Sequence, residues 1–393
     1  SSSSAASDVY KRQFYNQAAN QIGAERVGEH FAAITDPGSR LDQLASQLNF
    51  RKAFLNNPNL GGRFSALSYF GLVPAALIGV NLTRLLGAAA HAAEANWPGQ
   101  SPQDAPAVRL GALLGAAVQE GKDKLTFLSD QRMNSFSDWI EQLIAESTGK
   151  SGTGILPVVG EIPPKDLSSY TSDRIFVLQH KGESNAVISL MEMLRSQNYP
   201  VVEFEVGDAY NLGAMILTWE IATAAAGYLM EIQPFNQPNV ESAKVMARKS
   251  VQAYQETGKL PERQSSDLSA EAVEDFLAEI PDGGYIALQA YLEPSAEIKA
   301  EFRKLQARLR DKFRCAVTFG FGPRFLHSTG QLHKGDGGRG LFIQVTAGDR
   351  EDLPIPDEPG NGGSSLTFGI LKEAQASGDR QALLDAGRKV IRF

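Results

Sequence analysis

Residues 174–207, RIFVLQHKGESNAVISLMEMLRSQNYPVVEFEVG, decide the fold class of this chain. The runs RIFVLQHKG and PVVEFEVG predict strands. The segment NAVISLMEMLRSQ between them has the apolar spacing of a helix. A strand, a helix and a second strand in succession indicate a parallel pair, because a parallel connection needs a crossover of this length.

The same alternation continues on both sides of this stretch. Upstream, DKLTFLSD (123–130) predicts a strand, and DWIEQLIAESTGK (138–150) predicts an amphipathic helix. Downstream, three strand-like runs and one long helix-like run follow: GYIALQAYL, AEIKAEFRKLQARLRDKF, CAVTFGFG and GLFIQVTAG. Strands that alternate with helices predict an α/β protein whose mainly parallel sheets are covered on both faces, a three-layer α/β/α sandwich.

Polar segments give the predicted domain boundaries. Residues 1–13, SSSSAASDVYKRQ, carry almost no apolar content and predict a disordered lead-in, with ordered chain beginning at Phe14. The connection GEIPPKDLSSYTSD and the polar stretch at 257–270 are the other two junctions. The predicted parts are a first domain over 14–160, a second domain over 161–256, and a C-terminal α/β segment over 257–393 that completes the second domain.

Charge and cysteine content exclude several classes of function. The net charge of −7 over 393 residues argues against a nucleic-acid-binding protein, which needs a basic face. An anionic ligand would have to be bound by a few placed cations or by backbone amides at a helix start. The single cysteine, Cys315, excludes an internal disulfide and a cysteine-based zinc site. Without a long uninterrupted apolar run or a leader, the sequence predicts a cytoplasmic protein that does not interact with membranes.

A glycine pair in NLGGRFSALSYFGL is the first candidate for a binding site. Gly61 and Gly62 allow the backbone to approach a ligand closely, and Arg63 follows them directly. A guanidinium at this point can present a fixed positive charge to an anion. The alternative interpretation is a tight turn with a surface arginine.

Glu146 lies near the end of the predicted helix at 138–150, in AESTGK. The helix dipole disfavours a carboxylate there, which tends to raise its pKa and suits a general base that must return its proton. Lys150 opposes this effect, since a nearby cation favours the charged carboxylate. The alternative is a solvated glutamate on a helix face.

Two histidines occur in LHSTGQLHKGDGGRG, a glycine-rich stretch between two predicted strands. His333 and His327 titrate near neutral pH, and loops at strand ends commonly display reactive side chains. As a pair of metal ligands they are weak candidates, because no acidic or cysteine partner completes a known pattern.

Lys244 falls one or two turns into a predicted helix. The glycines of HKGDGGRG match no nucleotide fingerprint, so no cofactor is expected.

Taken together, these segments resemble phosphoglucose isomerase. NLGGRFSALSYFGL resembles the family's GGR-[FY]-S signature, and WIEQLIAESTGK resembles the stretch that ends in E-S-x-G-K. LGAMILTWEIATAAAGYLMEIQPFNQPNVESAK resembles the C-terminal signature that leads to a catalytic lysine. The resemblance covers the chain from about Phe14 to its end. With GPRFLHSTGQLHKG, the chain resembles the isomerase part of bifunctional transaldolase/phosphoglucose isomerase fusions.

The resemblance implies a glucose-6-phosphate isomerase of glycolysis and gluconeogenesis that needs no cofactor. Glu146 would move a proton from C2 to C1 of the open-chain sugar, and Arg63 would stabilise the charge on the enediol. Lys244 and a histidine, His333 or else His327, would assist ring opening. The residues that would contact the sugar phosphate are Gly62, Arg63, Ser65 and Lys150. Members of the family often form dimers, so the resemblance is compatible with a homodimer.

The family also binds phosphate with a Ser/Thr-rich loop of the S-K-[ST]-x-T-T kind, and the polar lead-in before FYNQAANQIG does not reproduce it. The expectation is therefore two sugar-isomerase (SIS) units, of which the first is incomplete and N-terminally truncated. Two alternatives stay open: a non-catalytic sugar-phosphate-binding module, and an inactive fragment of a fusion protein. A metal-dependent isomerase is less compatible with the residues.

Overall fold

A computed structural model describes residues 5–97, 99, 101–182, 185–260, 265–266 and 269–393. The helices are α1 (Ala5–Ile22), α2 (Arg40–Gln47), α3 (Tyr69–Leu77), α4 (Leu82–Ala95), α5 (Pro106–Gln119), α6 (Asn134–Thr148), α7 (Asn185–Ser196), α8 (Leu212–Leu229), α9 (Val240–Thr257), α10 (Ala270–Leu277), α11 (Ala296–Phe313), α12 (Gly330–Gly335) and α13 (Phe368–Asp385). The strands are β1 (Ala32–Thr35), β2 (Lys52–Leu55), β3 (Lys124–Ser129), β4 (Leu156–Val158), β5 (Arg174–His180), β6 (Val201–Glu205), β7 (Tyr285–Tyr291), β8 (Ala316–Phe321), β9 (Gly340–Thr346), β10 (Pro354–Ile355), β11 (Leu366–Thr367) and β12 (Lys389–Arg392).

The chain divides into two compact units, and both belong to the predicted α/β class. The first unit comprises Ser1–Thr83, Arg248–Pro261 and Gly348–Ala374. The second unit comprises Arg84–Ala247, Glu262–Ala347 and Gln375–Phe393. Apart from the β10–β11 hairpin, all the strand pairs of the described residues are parallel, which confirms the prediction of mainly parallel sheets.

The first unit contains a small parallel sheet of β1 and β2 joined by α2. Ser39 caps this helix, because its side chain accepts a hydrogen bond from the backbone N–H of Asp42. The strands are in register with Ala32 opposite Lys52. This strand–helix–strand arrangement precedes the glycine pair and places it after β2.

The expectation of a disordered lead-in over 1–13 is wrong from Ala5 onward, since α1 begins there. Residues 1–4 lie outside the described part of the chain. Arg12 donates to the carbonyl oxygens of Pro356 at 3.2 Å and Asp357 at 2.6 Å. The amide of Asn16 donates to the carbonyl of Asn361 at 2.8 Å. These contacts with a segment far along the chain stabilise the helix, and local composition does not encode them.

The second unit is built on two four-stranded parallel sheets, with strand orders β4-β3-β5-β6 and β12-β9-β7-β8. The central strands β5 and β7 are buried at every position, so helices must cover both of their faces. Helix α7 packs on β5 and β6, and α11 packs on β8. Residue 160 does not separate two domains here, because β3 pairs with β5 across it in one sheet.

An apolar cluster and a buried charge network lie between the two sheets of the second unit. The cluster includes Leu156 of β4, Tyr285 of β7 and Phe342 of β9. In the network, the Glu161 carboxylate accepts from Arg174 of β5 at 2.8 Å and from Arg310 of α11 at 2.7 Å. Glu161 and its two arginines are almost completely buried. We call this the Glu161 network, and it joins the first sheet to a helix of the second.

Helix α8 is long and apolar enough to suit a membrane span by length and composition alone. In the structure, 44% of its apolar window is buried inside the protein. Trp219 is fully buried and contacts the rings of Phe127 and Phe204 at centroid distances of 5.8 and 5.6 Å. Gly111 of α5 lies so close to the backbone of Ala222 that a Cβ there would approach its carbonyl oxygen to 2.4 Å.

Candidate active site

The end of α6 positions Glu146. Ile140, Leu143 and Ile144 are fully buried, as their spacing predicted, and leave Glu146 half-buried at the edge of the apolar face. The side-chain amide of Gln142 donates to a carboxylate oxygen of Glu146 at 3.3 Å. Gly149 ends the helix as predicted. The carboxylate therefore has a fixed neighbour one turn away and is still accessible.

Helix α12 packs directly against this helix end. A Cβ on Gly149 would lie 2.2 Å from the Cα of Leu332, so only glycine permits the approach. The fully buried side-chain amide of Gln331 donates to the carbonyl of Gly149 at 2.8 Å. Its carbonyl oxygen accepts from the backbone N–H of Asn239 at 2.8 Å. Gln331 thus connects the end of α6 to the loop that leads into α9.

Lys150 holds the same loop in place. Its ammonium donates to the carbonyl of Gln233 at 2.9 Å, to the carbonyl of Asn236, and to the side-chain oxygen of Asn236 at 3.2 Å. The side chain is buried, with 3% of its surface exposed. A lysine whose donors are used in this way stabilises the 233–236 loop. Its predicted contact with substrate stays a prediction.

Lys244 and His327 line one cavity of about 50 Å³, together with Gly330, Lys334 and Gln375. Gly378 of α13 lets that helix approach α9 closely, since a Cβ there would lie 3.0 Å from the carbonyl oxygen of Ala243. Burial lowers the pKa of His327, and the positive charge of Lys244 lowers it further. At neutral pH the imidazole is therefore uncharged and can accept a proton beside a cationic donor.

His333 is in a different environment from the strand-end loop that the sequence predicted. It lies in α12 and is buried, with 2% of its surface exposed. Its ring packs against Phe342 at a centroid distance of 5.0 Å and against Phe325 at 6.1 Å. Burial, followed by the charges of Lys334 and Arg388, lowers the pKa of His333 well below its ordinary value. This burial against aromatic rings is typical of a core residue. The predicted part of His333 in ring opening stays a prediction.

Lys334, next to His333, is also used inside the protein. Its ammonium donates to the Asp379 carboxylate of α13 at 2.5 Å and to the carbonyl of Gly330 at 3.1 Å. Both side chains are buried. This ion pair fixes α12 to α13 and belongs to the packing of the site.

The glycine pair and Arg63 belong to the first unit. The other candidate residues belong to the second unit: Glu146, Lys150, Lys244, His327 and His333. Arg63 is buried in a short turn at Gly62–Phe64, with its guanidinium 5.6 Å from the ring of Phe64. The hydroxyl of Ser65 donates to the carbonyl of Gly62 at 2.5 Å. Space for a Cβ exists at Gly62, so the turn itself does not require this glycine.

Sequence reasoning missed Glu141, which lies on α6 before Glu146. Burial and the nearby Asp138 raise the pKa of Glu141 to about 7. The only sequence signal was its position in WIEQLIAES, beside the candidate base.

Among the residues that the structure describes, no group of three His, Cys, Asp or Glu side chains could hold a metal ion.

Comparison with known proteins identifies isomerases as relatives. No family model matches the chain. The glucose-6-phosphate isomerase of Enterococcus faecalis is 24% identical over 271 residues, which is 59% of this chain and 60% of that protein. The glucose-6-phosphate isomerase of Citrifermentans bemidjiense is 29% identical over 268 residues, which is 57% of this chain and 50% of that protein. The chain thus spans between half and three fifths of the length of these two relatives.

A solved structure supports the fold. A hypothetical protein from Thermus thermophilus superposes with a TM-score of 0.57 and is 24% identical, over 63% of this chain and 68% of that chain. At this level of identity the likeness concerns the fold alone. It agrees with the α/β class described above.

Proposed function

We propose that this chain interconverts glucose 6-phosphate and fructose 6-phosphate by proton transfer, an aldose–ketose isomerisation in glycolysis and gluconeogenesis. Its homology to proteins named glucose-6-phosphate isomerase supports the reaction class. The observation that carries the proposal is the connection made by Gln331. It ties the end of α6, which bears Glu146, to Asn239, which directly precedes the helix that bears Lys244.

In the proposed reaction Glu146 takes the proton from C2 of the open-chain aldose and returns it to C1. A half-buried carboxylate at a fixed helix end can serve as base and then as acid, because it stays beside the same two carbons. Loss of the C2 proton leaves the anion of the cis-enediol, with its negative charge on O1. The proton of the C2 hydroxyl passes to O1 before C1 is protonated, which leaves the C2 carbonyl of the ketose. Arg63 keeps the role that the sequence resemblance implies, which is to stabilise negative charge on that intermediate.

Ring opening is assigned to Lys244 and His327 in place of His333. The reaction requires a group that accepts the proton of the anomeric hydroxyl and a cation that supports the ring oxygen as it leaves. The neutral imidazole of His327 and the ammonium of Lys244 are suited to these tasks and line one cavity. His333 is enclosed by aromatic side chains, so we assign it to packing.

The experiment that tests the proposal measures conversion of fructose 6-phosphate to glucose 6-phosphate in a coupled assay. We expect activity in the wild-type chain, and we expect Glu146→Gln to lower kcat by about 10³-fold, within the usual range for loss of a general base. Its circular dichroism and melting temperature should match those of the wild-type chain. Glu192→Gln, on the exposed surface of α7, is the matched control and should retain full activity.

A wild-type chain that binds the sugar phosphate without turning it over would contradict the proposed activity. A Glu146→Gln variant with kcat within threefold of the wild-type value would contradict the assignment of the base.

A further inference from the structure

The second unit contains a cavity of about 100 Å³ whose lining includes none of the residues assigned to the proposed reaction. Two glycine-rich stretches form much of its wall. One is 152–154, which follows the end of α6. The other is HKGDGGRG, from which Asp336, Gly337 and Arg339 line the cavity. The stretch that matches no nucleotide fingerprint is therefore one wall of a cavity.

Helix α12 separates this cavity from the one that contains His327. Leu332 and Asp336 line the cavity of about 100 Å³, whereas Gly330 and Lys334 line the other. Residues four positions apart lie on one face of a helix, so α12 presents opposite faces to the two cavities. The two cavities are therefore separate sites on either side of one helix.

The two glycine-rich walls are held together by the backbone. The N–H of Gly152 donates to the carbonyl of Gly335 at 3.0 Å, and the N–H of Lys150 donates to the carbonyl of Thr153 at 3.0 Å. Gly337 lies so close to the first wall that a Cβ there would be 3.2 Å from the carbonyl oxygen of Gly152. A cavity with walls fixed in this way is formed before any ligand arrives.

The donors of the buried lysine in this cavity are all in use. Lys124 has 2% of its surface exposed, and its ammonium contacts the carboxylate of Asp123, the carbonyl of Gly283 at 3.0 Å and the carboxylate of Asp173 at 3.4 Å. An ammonium has three N–H groups, so these three partners occupy them. An anion in the cavity would find no free donor on this lysine and would face the carboxylate of Asp123.

The two carboxylates that line the cavity are paired but retain acceptor positions. Asp336 accepts from the hydroxyl of Tyr285 at 2.8 Å, from Arg388 at 3.0 Å and from the backbone N–H of Gly338 at 2.9 Å. Asp123 accepts from Lys124 and from Arg339. A carboxylate has about four positions for hydrogen-bond donors, so both groups can accept further bonds.

Spare donors lie in the same lining. Arg339 donates to Asp123 at 3.0 Å, and within the described residues this is the one hydrogen bond of its side chain, which has five N–H groups. Its guanidinium lies against Gly283, where a Cβ would be 2.8 Å from Nη1. The hydroxyl of Thr153 is half-buried and has no partner among the residues that the structure describes. Donors and acceptors are thus available together, on a lining whose charges cancel.

We propose that this cavity binds a small polyol through two neighbouring hydroxyl groups. Each hydroxyl can donate to a carboxylate, Asp123 or Asp336, and accept from Arg339 or Thr153, which a ligand without net charge satisfies best. The apolar side chains of the lining would contact the carbon atoms of the ligand; they are Val118, Leu156 and Leu332.

The size of the cavity limits the ligand. A cavity of about 150 Å³ holds benzene, so this one has room for about four to six non-hydrogen atoms, the size of glycerol. The side chain of Arg339 is 47% exposed, so a longer polyol can extend past it into solvent. The inference does not rest on the proposed function, because binding is measurable in a chain that turns nothing over.

The first test is an NMR titration of the backbone amides in the full ¹⁵N-labelled chain. Glycerol and sorbitol should each shift the amides of Gly152, Thr153 and Gly337 in a saturable way, with dissociation constants in the millimolar range. 1-Propanol has the carbon chain of glycerol and a single hydroxyl, and it should leave these amides unchanged at the same concentrations. Shifts that do not saturate with either polyol, or equal shifts with 1-propanol, would overturn the inference. Inorganic phosphate that saturated the same amides at lower concentration would overturn it in favour of an anion site.

The second test removes the spare donors one at a time. Thr153→Val keeps the shape of the side chain and should raise the dissociation constant for glycerol about 5-fold, and Arg339→Met should raise it about 10-fold. Arg308→Met is the matched control, since Arg308 is an exposed arginine of α11 outside the cavity lining, and it should leave the constant unchanged. Melting temperatures separate a folding defect from lost binding. Folded Thr153 and Arg339 variants that both bind glycerol as tightly as the wild-type chain would refute the proposed contacts, and the wild-type titrations decide the inference if either variant fails to fold.

Discussion

The turn at Arg324–His327 and helix α12 follow one another in the chain, and each carries a histidine that has a lysine near it. In the turn, His327 lines a cavity with Lys244, and its surroundings leave it partly accessible. In α12, His333 is surrounded by aromatic rings and Lys334 is paired with Asp379. The same two residue types thus form an accessible site in one region and a packed support in the next. The two histidines therefore differ in accessibility, although the residue types around them are the same.

The largest expected effect concerns the buried ion pair between Lys334 and Asp379, which holds α12 against α13. Asp379→Ala leaves the ammonium of Lys334 buried without its partner carboxylate, and we expect a loss of about 3–5 kcal/mol in the free energy of unfolding. Denaturant titration measures it. The control is Glu279→Ala, which removes an ion pair of the same 2.5 Å length to Lys389, exposed on the surface. That control should change stability by about 1 kcal/mol or less. Similar values for the two variants would contradict the supporting role of α12.

The next test replaces each of the two histidines separately. His327→Ala should lower kcat/KM for glucose 6-phosphate by about 10²-fold, the lower end of the range for loss of an acid–base group, with little effect on melting temperature. His333→Phe keeps an aromatic ring in the core and should keep kcat/KM within about threefold, at the cost of a small change in stability. If the His333 variant lost activity while the His327 variant kept it, the assignment would be reversed.

The smallest expected effect concerns the electrostatic coupling within the accessible region. Lys244 lowers the pKa of His327, so removing its charge in Lys244→Met should raise that pKa, by about one unit or less. The sign follows because a nearby cation disfavours the protonated imidazole. His333 should titrate well below the ordinary range of a histidine, in line with the direction of its shift. Ring-proton chemical shifts against pH measure both, and a His327 pKa that is unchanged or lower in Lys244→Met would contradict the coupling.

The sequence predicted the features that depend on neighbouring residues. The strand and helix segments around RIFVLQH, the apolar face of α6 with Ile140, Leu143 and Ile144, and the helix end at Gly149 all follow from local spacing. These features are confirmed because the spacing of apolar residues along the sequence determines which face of a helix or strand is buried.

Features that depend on distant segments were not predictable in this way. The burial of His333 depends on Phe342 of β9, and the helix at the start of the chain depends on contacts of Arg12 with Pro356 and Asp357. Similarly, the shifted pKa of Glu141 depends on burial and on Ser328 and two arginines from other elements. A single sequence does not show which residues that are distant along the chain come into contact.

The Glu161 network has a consequence for anyone who wishes to shorten this protein. The polar stretch at 257–270 looks like a convenient place to cut, since it separates two runs of strands. A cut there would place Glu161 and Arg174 on one piece and Arg310 on the other, and each piece would carry a buried charge network with a missing member. The two sheets of the second unit are therefore a single unit of expression, and a working shorter version must keep α11 with β5.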